Sequence, residues 1–557
     1  MSDRARTRWV LLGVAVLVEC VLVAGAFNPA PHTGGDNAGY VGLAHALLTT
    51  GSYVELFDPA GAPHTKYPPV FPAVLALLVW LGARSWVALK SIAAVSTVVT
   101  VAFTYLWAQR RIGSWAALAV AVLVGASSAV VYYSRWVLSD PLFVALTMVA
   151  LWALDREDVA SADSGGRWLV VGVAAAGLAY FTRSAGLPLV TAILAWLLWR
   201  RRWRALAATG AALGIPAIAW WARGLGVPGS YSTEFWLVDP YAPTLGTIGL
   251  GALVPRAISN LFGYVLQHGP GGIVGARGAW VSLLGVVLVA GALYGWLSRV
   301  RSRPGPAELF FPLYAGLILL WPTVWSGDRF ALPLYPLVFF YGALALADLR
   351  ARLPAALGSL AVAGVVLAAA LPAARSWARE VGTARACARV VAAQGAFACY
   401  GPRVGAFVTA AEWARAALPD DARVLTRKPR IFYALSGVPS RTFPFDDDPD
   451  VLLAAADEAK AAYVLLDEWD GLAGAYVGGA VRRRPEAFCF VRSFGRPGSG
   501  GAQLLGVLPP AERSGRVGAS AEEVGIVDCP AGYAPGGVPA HPSSSPTAIP
   551  LLEGAAP

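Results

Sequence analysis

Charged residues are scarce in this chain. Only 14% of its 557 residues are Asp, Glu, Lys or Arg, while 57% are hydrophobic; a soluble globular domain carries roughly 25% charged residues. The deficit excludes a molecule bathed in water on all sides, so much of the surface faces hydrocarbon. Acidic residues are scarcer than basic ones, 34 against 44, which leaves a net charge of +10. There is no basic patch or stripe of the kind that tracks a phosphate backbone. The arginines fall instead in short clusters between apolar runs: Arg4, Arg6 and Arg8; Arg110 and Arg111; Arg200, Arg201, Arg202 and Arg204; Arg299, Arg301 and Arg303; Arg350 and Arg352. Cytoplasmic loops of membrane proteins concentrate positive charge in this way, so nucleic acid is excluded as a partner and a lipid bilayer is implied.

Other absences narrow the class further. No Gly-rich phosphate loop follows any β-type run, which leaves nucleotide binding without support. The acidic run Asp446, Asp447, Asp448, Pro449, Asp450 lacks the glycine and distal glutamate of a calcium loop. It reads better as a helix start, with Asp448 as cap and Pro449 in the first turn. No pair of corresponding, interrupted segments marks two repeated halves, as an alternating-access transporter would show. Cysteine is limited to five. Cys20 lies in an apolar run, and Cys387, Cys399, Cys489 and Cys529 form an even set that permits one or two disulfides in an oxidising compartment, or free thiols.

What is present is a series of apolar stretches. The first, 9–27, approaches the roughly 20 residues needed to cross a bilayer and exceeds the apolar region of a signal peptide. It predicts a retained helix with its N-terminus inside. Residues 67–82 are apolar but short, with Pro68, Pro69 and Pro72 at their start, and predict a helix lying at the interface. Further spans are expected at 86–107, 115–133, 140–154, 168–182, 185–199, 205–222, 279–298, 307–325, 329–347 and 355–373. This reading gives an α-helical polytopic membrane protein with about eleven transmembrane helices, every arginine cluster inside and the C-terminus outside.

Beyond this membrane domain of residues 1–373, helical stretches (Glu412 to Leu418, Val451 to Ala459) alternate with β-type runs (Arg423 to Thr426, Tyr463 to Leu466, Phe488 to Phe494, Gln503 to Leu508). They predict a soluble extracytoplasmic α/β domain over residues 374–510. Residues 511–557, rich in Pro, Ser, Gly and Ala without hydrophobic period, are expected to be a disordered tail.

The chosen topology gathers the unusual polar residues on the outer face. Asp36 follows Gly34 and Gly35 and precedes an amphipathic stretch with Tyr40, Leu43, Ala44 and Leu47; it reads as a helix cap or as a reactive carboxylate. Lys66, before Tyr67, Pro68 and Pro69, reads as a snorkelling lysine or as a ligand for a lipid phosphate. Ser134, Arg135 and Asp140 lie where a helix re-enters the membrane, where an acid is costly unless it meets a partner or a polar cavity. Asp328 and Arg329 repeat the pairing of acid and base. Tyr231, Trp236 and Tyr241 lie in the long loop 223–278. Glu19, inside the first apolar run, reads equally as functional or as paired within the bundle.

These pieces, in this order, resemble the GT-C superfamily of membrane glycosyltransferases, in particular its bacterial protein mannosyltransferase-like and aminoarabinose-transferase-like branch. The matching residues are Gly35-Asp36 to Tyr40 with Leu43-Ala44, Tyr67-Pro68-Pro69 to Pro72, Ser134-Arg135 to Asp140-Pro141, and Asp328-Arg329-Phe330 to Leu332-Pro333. The resemblance spans residues 9–373. It implies a GT-C-like fold in the bacterial cytoplasmic membrane and inverting transfer of a sugar from a polyprenyl-phosphate donor to a glycan, lipid or protein acceptor on the outer face. In that scheme Asp36 and Asp140 are catalytic, Lys66 and Arg329 bind the donor phosphate, and Tyr40, Tyr67, Arg135 and Asp328 contact sugar or acceptor. Many relatives carry a second acid after the first-loop Asp; Asn37 stands there instead, so a divalent cation is an open possibility and no metal ligand is assigned. The competing readings are a transporter or flippase for a lipid-linked or small polar solute, an inactive scaffold, and a surface-glycan polymerase or ligase.

Overall fold

A computed structural model describes residues 3–159, 166–225, 231–302, 304–496, 498–514, 526–533 and 549–553. The chain is a multi-pass membrane protein dominated by helices. Its membrane region comprises α1 (Asp3–Ala26), α2 (Gly35–Thr49), α3 (Val70–Trp80), α4 (Trp86–Ile112), α5 (Ser114–Ala126), α6 (Ser128–Tyr133), α7 (Ser139–Val159), α8 (Arg167–Thr182), α9 (Leu187–Trp199), α10 (Trp203–Arg223), α11 (Tyr231–Trp236), α12 (Leu253–Gly263), α13 (Gly269–Val274), α14 (Ala279–Ser302), α15 (Pro306–Leu320), α16 (Asp328–Ala331), α17 (Tyr335–Arg352) and α18 (Ala355–Gln394). Among the described residues, six helical stretches are long and apolar enough to cross a bilayer: Arg6–Ala26, Trp86–Ile112, Trp203–Arg223, Ala279–Ser302, Asp328–Arg352 and Ala355–Gln394.

Local chemistry sets several boundaries. Ser85 caps α4 by accepting from the Ala88 amide, and Gly113 ends it at φ 80°. The 11 residues of α3 rise only about 16 Å at 1.5 Å per residue, about half a hydrocarbon core. The stretch expected as one span over 115–133 is instead two helices broken at Ser127, whose hydroxyl bonds back to the Leu123 carbonyl. The last membrane helix runs on for 40 residues to Gln394, well past the expected 373.

Large apolar side chains of α4, α7, α15 and α17 form the principal core, including Trp107, Tyr105, Phe143, Phe310 and Phe340. Close approach of α14 to α17 requires Gly295, since a Cβ there would sit 2.1 Å from the Tyr341 carbonyl oxygen. Ile215, Ile218 and Trp221 on α10 and Leu360 and Leu367 on α18 are exposed, as lipid-facing side chains are.

The C-terminal region carries a five-stranded sheet in the order β2-β1-β3-β5-β4, formed by β1 (Val424–Leu425), β2 (Ser440–Arg441), β3 (Tyr463–Asp467), β4 (Phe488–Phe494) and β5 (Ala502–Val507). β1 is parallel to both β2 and β3, with Val424 opposite Tyr463; β5 runs antiparallel to β3 and β4, with Leu465 opposite Leu504. Helices α19 (Pro402–Ala417), α20 (Pro429–Ser436), α21 (Pro449–Ala459) and α22 (Leu472–Arg483) accompany it. Asp448 caps α21, accepting from the Asp450 amide.

Both disulfides allowed by the sequence are formed, Cys387–Cys399 and Cys489–Cys529. The second corrects part of the expectation for 511–557. It anchors residues 526–533 beside β4, where Phe490 donates to Val527 and Cys529 to Phe490. Ile549 and Leu552 are also fully buried in the cluster that holds α2 and α20. The rest of 511–557 lies outside the described residues, apart from Pro510–Ser514, a short helix.

Candidate active site

The site is assembled from short segments at one end of the helices. The chain leaving α1 turns through residues 28–34, and Asn28 folds back to accept from the Ala30 amide at 2.8 Å. Lys90, in the second turn of α4, is buried beneath this loop. Its ammonium donates to the Asn28 carbonyl at 2.7 Å and to the Ala30 carbonyl, and lies 4.7 Å from the Trp136 ring centroid. A buried ammonium needs such acceptors, and they fix the loop that delivers Asp36.

Gly34, not Asp36, is the cap residue of α2. The Asp36 carboxylate is free to face inward, and its two oxygens have different partners. Oδ1 accepts from the Tyr67 hydroxyl at 2.8 Å, and Oδ2 pairs with Arg329 Nη1 at 2.7 Å. Burial would favour the neutral acid, but Arg329 and the Tyr67 hydroxyl outweigh it and hold the carboxyl well below the usual range. Asn37, where a second acid was expected, accepts from the Val137 amide at 2.9 Å. It therefore ties α2 to the turn that leads into α7.

Helix α7 opens with Ser139 and Asp140. Ser139 lies 2.7 Å from the Tyr40 hydroxyl. Asp140 Oδ2 receives Arg329 through Nε and Nη2, both at 2.8 Å, and Arg183 Nη1 at 2.8 Å. Arg329 thus bridges Asp36 and Asp140, residues about 100 apart in sequence, while Arg183 flanks Asp140 from the turn after α8.

A cavity of about 640 Å³ opens over this cluster. Asp36, Tyr40, Lys66, Tyr67, Arg183, Tyr231, Glu234, Tyr241, Asp328 and Arg329 line its polar part; Tyr314, Leu317, Ile318 and Trp321, from the end of α15 and just beyond, form an apolar wall. Lys66 is paired with Glu234 at 2.5 Å. Burial pushes the Glu234 carboxyl up against the pull of Lys66. Asp328 accepts from the Tyr133 hydroxyl at 3.0 Å.

Seven of the eight residues singled out from the sequence, Asp36, Asp140, Lys66, Arg329, Tyr40, Tyr67 and Asp328, meet in or directly beneath this cavity. Arg135 does not. It is buried, pairs with Glu380 of α18 at 2.5 Å and stacks over Tyr132 and Trp136. Sequence reasoning missed Arg183, Glu234 and Arg430. Arg183 had a signal, a lone arginine in a tight turn that the sequence-based topology placed away from the arginine clusters. Arg430 had none: it arrives from the C-terminal region and donates to the Tyr67 hydroxyl at 2.8 Å.

The donor set does not suit a divalent cation. Both Asp36 oxygens and Asp140 Oδ2 are engaged by guanidinium or phenol donors, and no group of three His, Cys, Asp or Glu side chains among the described residues could hold a metal.

Residues 66–221 match the family described as dolichyl-phosphate-mannose-protein mannosyltransferase. No curated protein matches the sequence. Among solved structures, the oligosaccharyltransferase of Archaeoglobus fulgidus tethered with an acceptor peptide aligns at TM-score 0.55 and 15% identity, over 85% of this chain and 72% of that one. ArnT from Cupriavidus metallidurans bound to undecaprenyl phosphate aligns at TM-score 0.51 and 14% identity, over 91% and 99%. The chain has the GT-C fold. The resemblance read from the sequence therefore holds at the level of the fold, and the alignment with ArnT takes in nearly all of both chains.

Proposed function

We propose that the protein is an inverting glycosyltransferase that moves a sugar from a polyprenyl-phosphate donor to a hydroxyl acceptor on the outer face of the bacterial cytoplasmic membrane. The observation that carries this reading is the convergence of Asp36, Asp140 and Arg329 beneath a cavity with one apolar wall. A donor of this class has an apolar chain, an anionic phosphate and a polar sugar. Leu317, Ile318 and Trp321 suit the first, Arg329, Arg183 and Lys66 the second, and the tyrosines the third. Two findings on other proteins support it: ArnT was solved bound to undecaprenyl phosphate, and the matched family is described by a lipid-phosphate sugar.

The acceptor oxygen attacks the anomeric carbon, the bond from that carbon to the phosphate oxygen breaks, and polyprenyl phosphate leaves with the bonding pair. Asp36 takes the acceptor proton as general base. Cations positioned at the leaving phosphate stabilise its growing charge, a role for Arg329 and Lys66. Arg329 also sets the timing. While it clamps Asp36, that carboxylate is a weak base; a phosphate competing for the guanidinium loosens the clamp and raises its basicity. Asp140 retains Arg183 and holds Arg329 in reach of both positions.

The test uses membrane vesicles carrying the protein, candidate polyprenyl-phosphate sugars in the bilayer and a membrane-impermeant hydroxylated acceptor outside. Right-side-out vesicles should glycosylate the acceptor and release polyprenyl phosphate, and inverted vesicles should not. Transfer only in inverted vesicles would overturn the sidedness, and absence of release from every donor would overturn the reaction.

A further inference from the structure

We propose that the C-terminal region completes the active site, with Arg430 as a positioning residue that fixes the Tyr67 hydroxyl on Asp36. This rests on the reading of Asp36 given above. Arg430 lies in the first turn of α20, which follows β1 after a turn of three residues, Thr426 to Lys428. Its Nη1 donates to the Tyr67 hydroxyl oxygen at 2.8 Å, and that hydroxyl reaches Asp36 Oδ1 at 2.8 Å. A guanidinium donates only, and a phenol has one proton. With its oxygen accepting from Arg430, Tyr67 must send that proton to Asp36.

The same guanidinium is locked by a closed ring of bonds. Arg430 Nη2 donates to Glu55 Oε1 at 2.9 Å, Glu55 Oε1 accepts from His64 Nδ1 at 2.6 Å, and His64 Nε2 accepts from the Tyr67 amide at 2.7 Å. Accepting at Nε2 fixes His64 as the neutral tautomer protonated on Nδ1, and burial lowers its basicity in agreement. Glu55 is held down to about 2, burial being outweighed by His64 and Arg430. Three residues from two parts of the chain, Arg430, Glu55 and His64, thus hold Tyr67. The backbone makes room for the reach. Gly39, one turn beyond Asp36 on α2, would bring a Cβ to 3.0 Å from Arg430 Cδ, so the arginine stem passes directly over the helix that carries the carboxylate. Ile549 and Leu552 belong to the cluster that includes α2 and α20 and hold the two helices together. Arg430 does not itself line the cavity; it reaches Asp36 through the Tyr67 hydroxyl.

The experiment compares Arg430→Met, Tyr67→Phe and their double variant with the full-length protein, by two readouts. The first is labelling of Asp36 by a carbodiimide and an amine, followed by mass spectrometry, which needs no turnover. Arg430→Met should label faster than the unmodified chain, and the difference should vanish in the Tyr67→Phe background. The second is steady-state transfer. Arg430→Met should lower kcat by roughly 10- to 100-fold, the range of a hydrogen bond to a charged group, with donor KM little changed and the double variant no worse than Tyr67→Phe alone. Arg430→Lys, which keeps a donor, should recover part of the loss and serves if the Met variant fails to fold. Equal labelling in Arg430→Met and the unmodified chain, or additive losses in the double variant, would overturn the proposal. Coupled labelling without cleavage of any donor would uphold the positioning of Tyr67 by Arg430 and count against the donor chemistry alone.

Discussion

Asp467, at the end of β3, is almost fully buried; one carboxylate oxygen accepts from the Trp469 amide at 2.9 Å, and the other has no hydrogen-bond partner among the described residues. Burial raises its pKa to about 6 against the opposing pull of that amide. A carboxyl whose pKa is higher folded than unfolded favours the native state at low pH and penalises it as pH rises through the folded value. Asp467→Asn should therefore raise Tm relative to the unmodified protein at pH 8 and have little effect at pH 4. A gain that is the same at both pH values would contradict this account of Asp467. Asp36 has the opposite sign and was easier to read in the sequence. A polar residue in an outer turn of an apolar protein must be accounted for, and this marked Asp36, Asp140, Lys66 and Arg329. The sequence could not separate capping from catalysis at Asp36, since both uses need the same side chain beside the same glycines. Nor could it show that Lys66 faces Glu234 across the cavity, or that Arg135 turns toward α18, because both depend on pairings over 168 and 245 residues.

At the level of helices, the end of the bundle away from the site is tied by one buried glutamate. Glu308, in the first turn of α15, is completely buried. It accepts from Arg111 of α4 at 3.0 Å, from the Gly305 amide at 2.9 Å and from the Tyr341 hydroxyl of α17 at 3.2 Å; Arg111 in turn pairs with Asp155 of α7. Removing one member of a buried pair leaves an uncompensated charge and costs about 3–5 kcal/mol. Glu308→Ala should thus lower thermal stability in detergent strongly, while Glu308→Gln, which keeps an acceptor, should lower it less. An unchanged Tm for Glu308→Ala would show that the knot contributes nothing. Helix positions were legible because about 20 apolar residues between polar turns leave few alternatives. Less legible was the break at Ser127, where an ordinary serine interrupts an unbroken apolar run. The docked C-terminal segment was hidden for a related reason, as Ile549 and Leu552 carry no period.

Across the molecule, the arginine clusters and the polar cavity mark opposite ends of the membrane helices. Both disulfides lie in the segments that share the cavity's end. The sheet strands expected at Tyr463 to Leu466 and Phe488 to Phe494 are present, because β-branched and aromatic runs between turn residues carry their own signal. The two-residue strand Ser440–Arg441 is too short to carry one. What the sequence could not convey is that the C-terminal region reaches the site through Arg430. In the proposed reaction Asp36 acts as a base and not as a structural carboxylate. Asp36→Asn in the donor-cleavage assay, with Tm measured alongside, separates the two roles. Asn keeps the shape and an acceptor for Tyr67 but removes the basicity. Turnover should fall by roughly 10²–10⁴-fold in a protein that remains folded and still binds polyprenyl phosphate. Turnover equal to that of the unmodified protein would contradict the role of Asp36 as base.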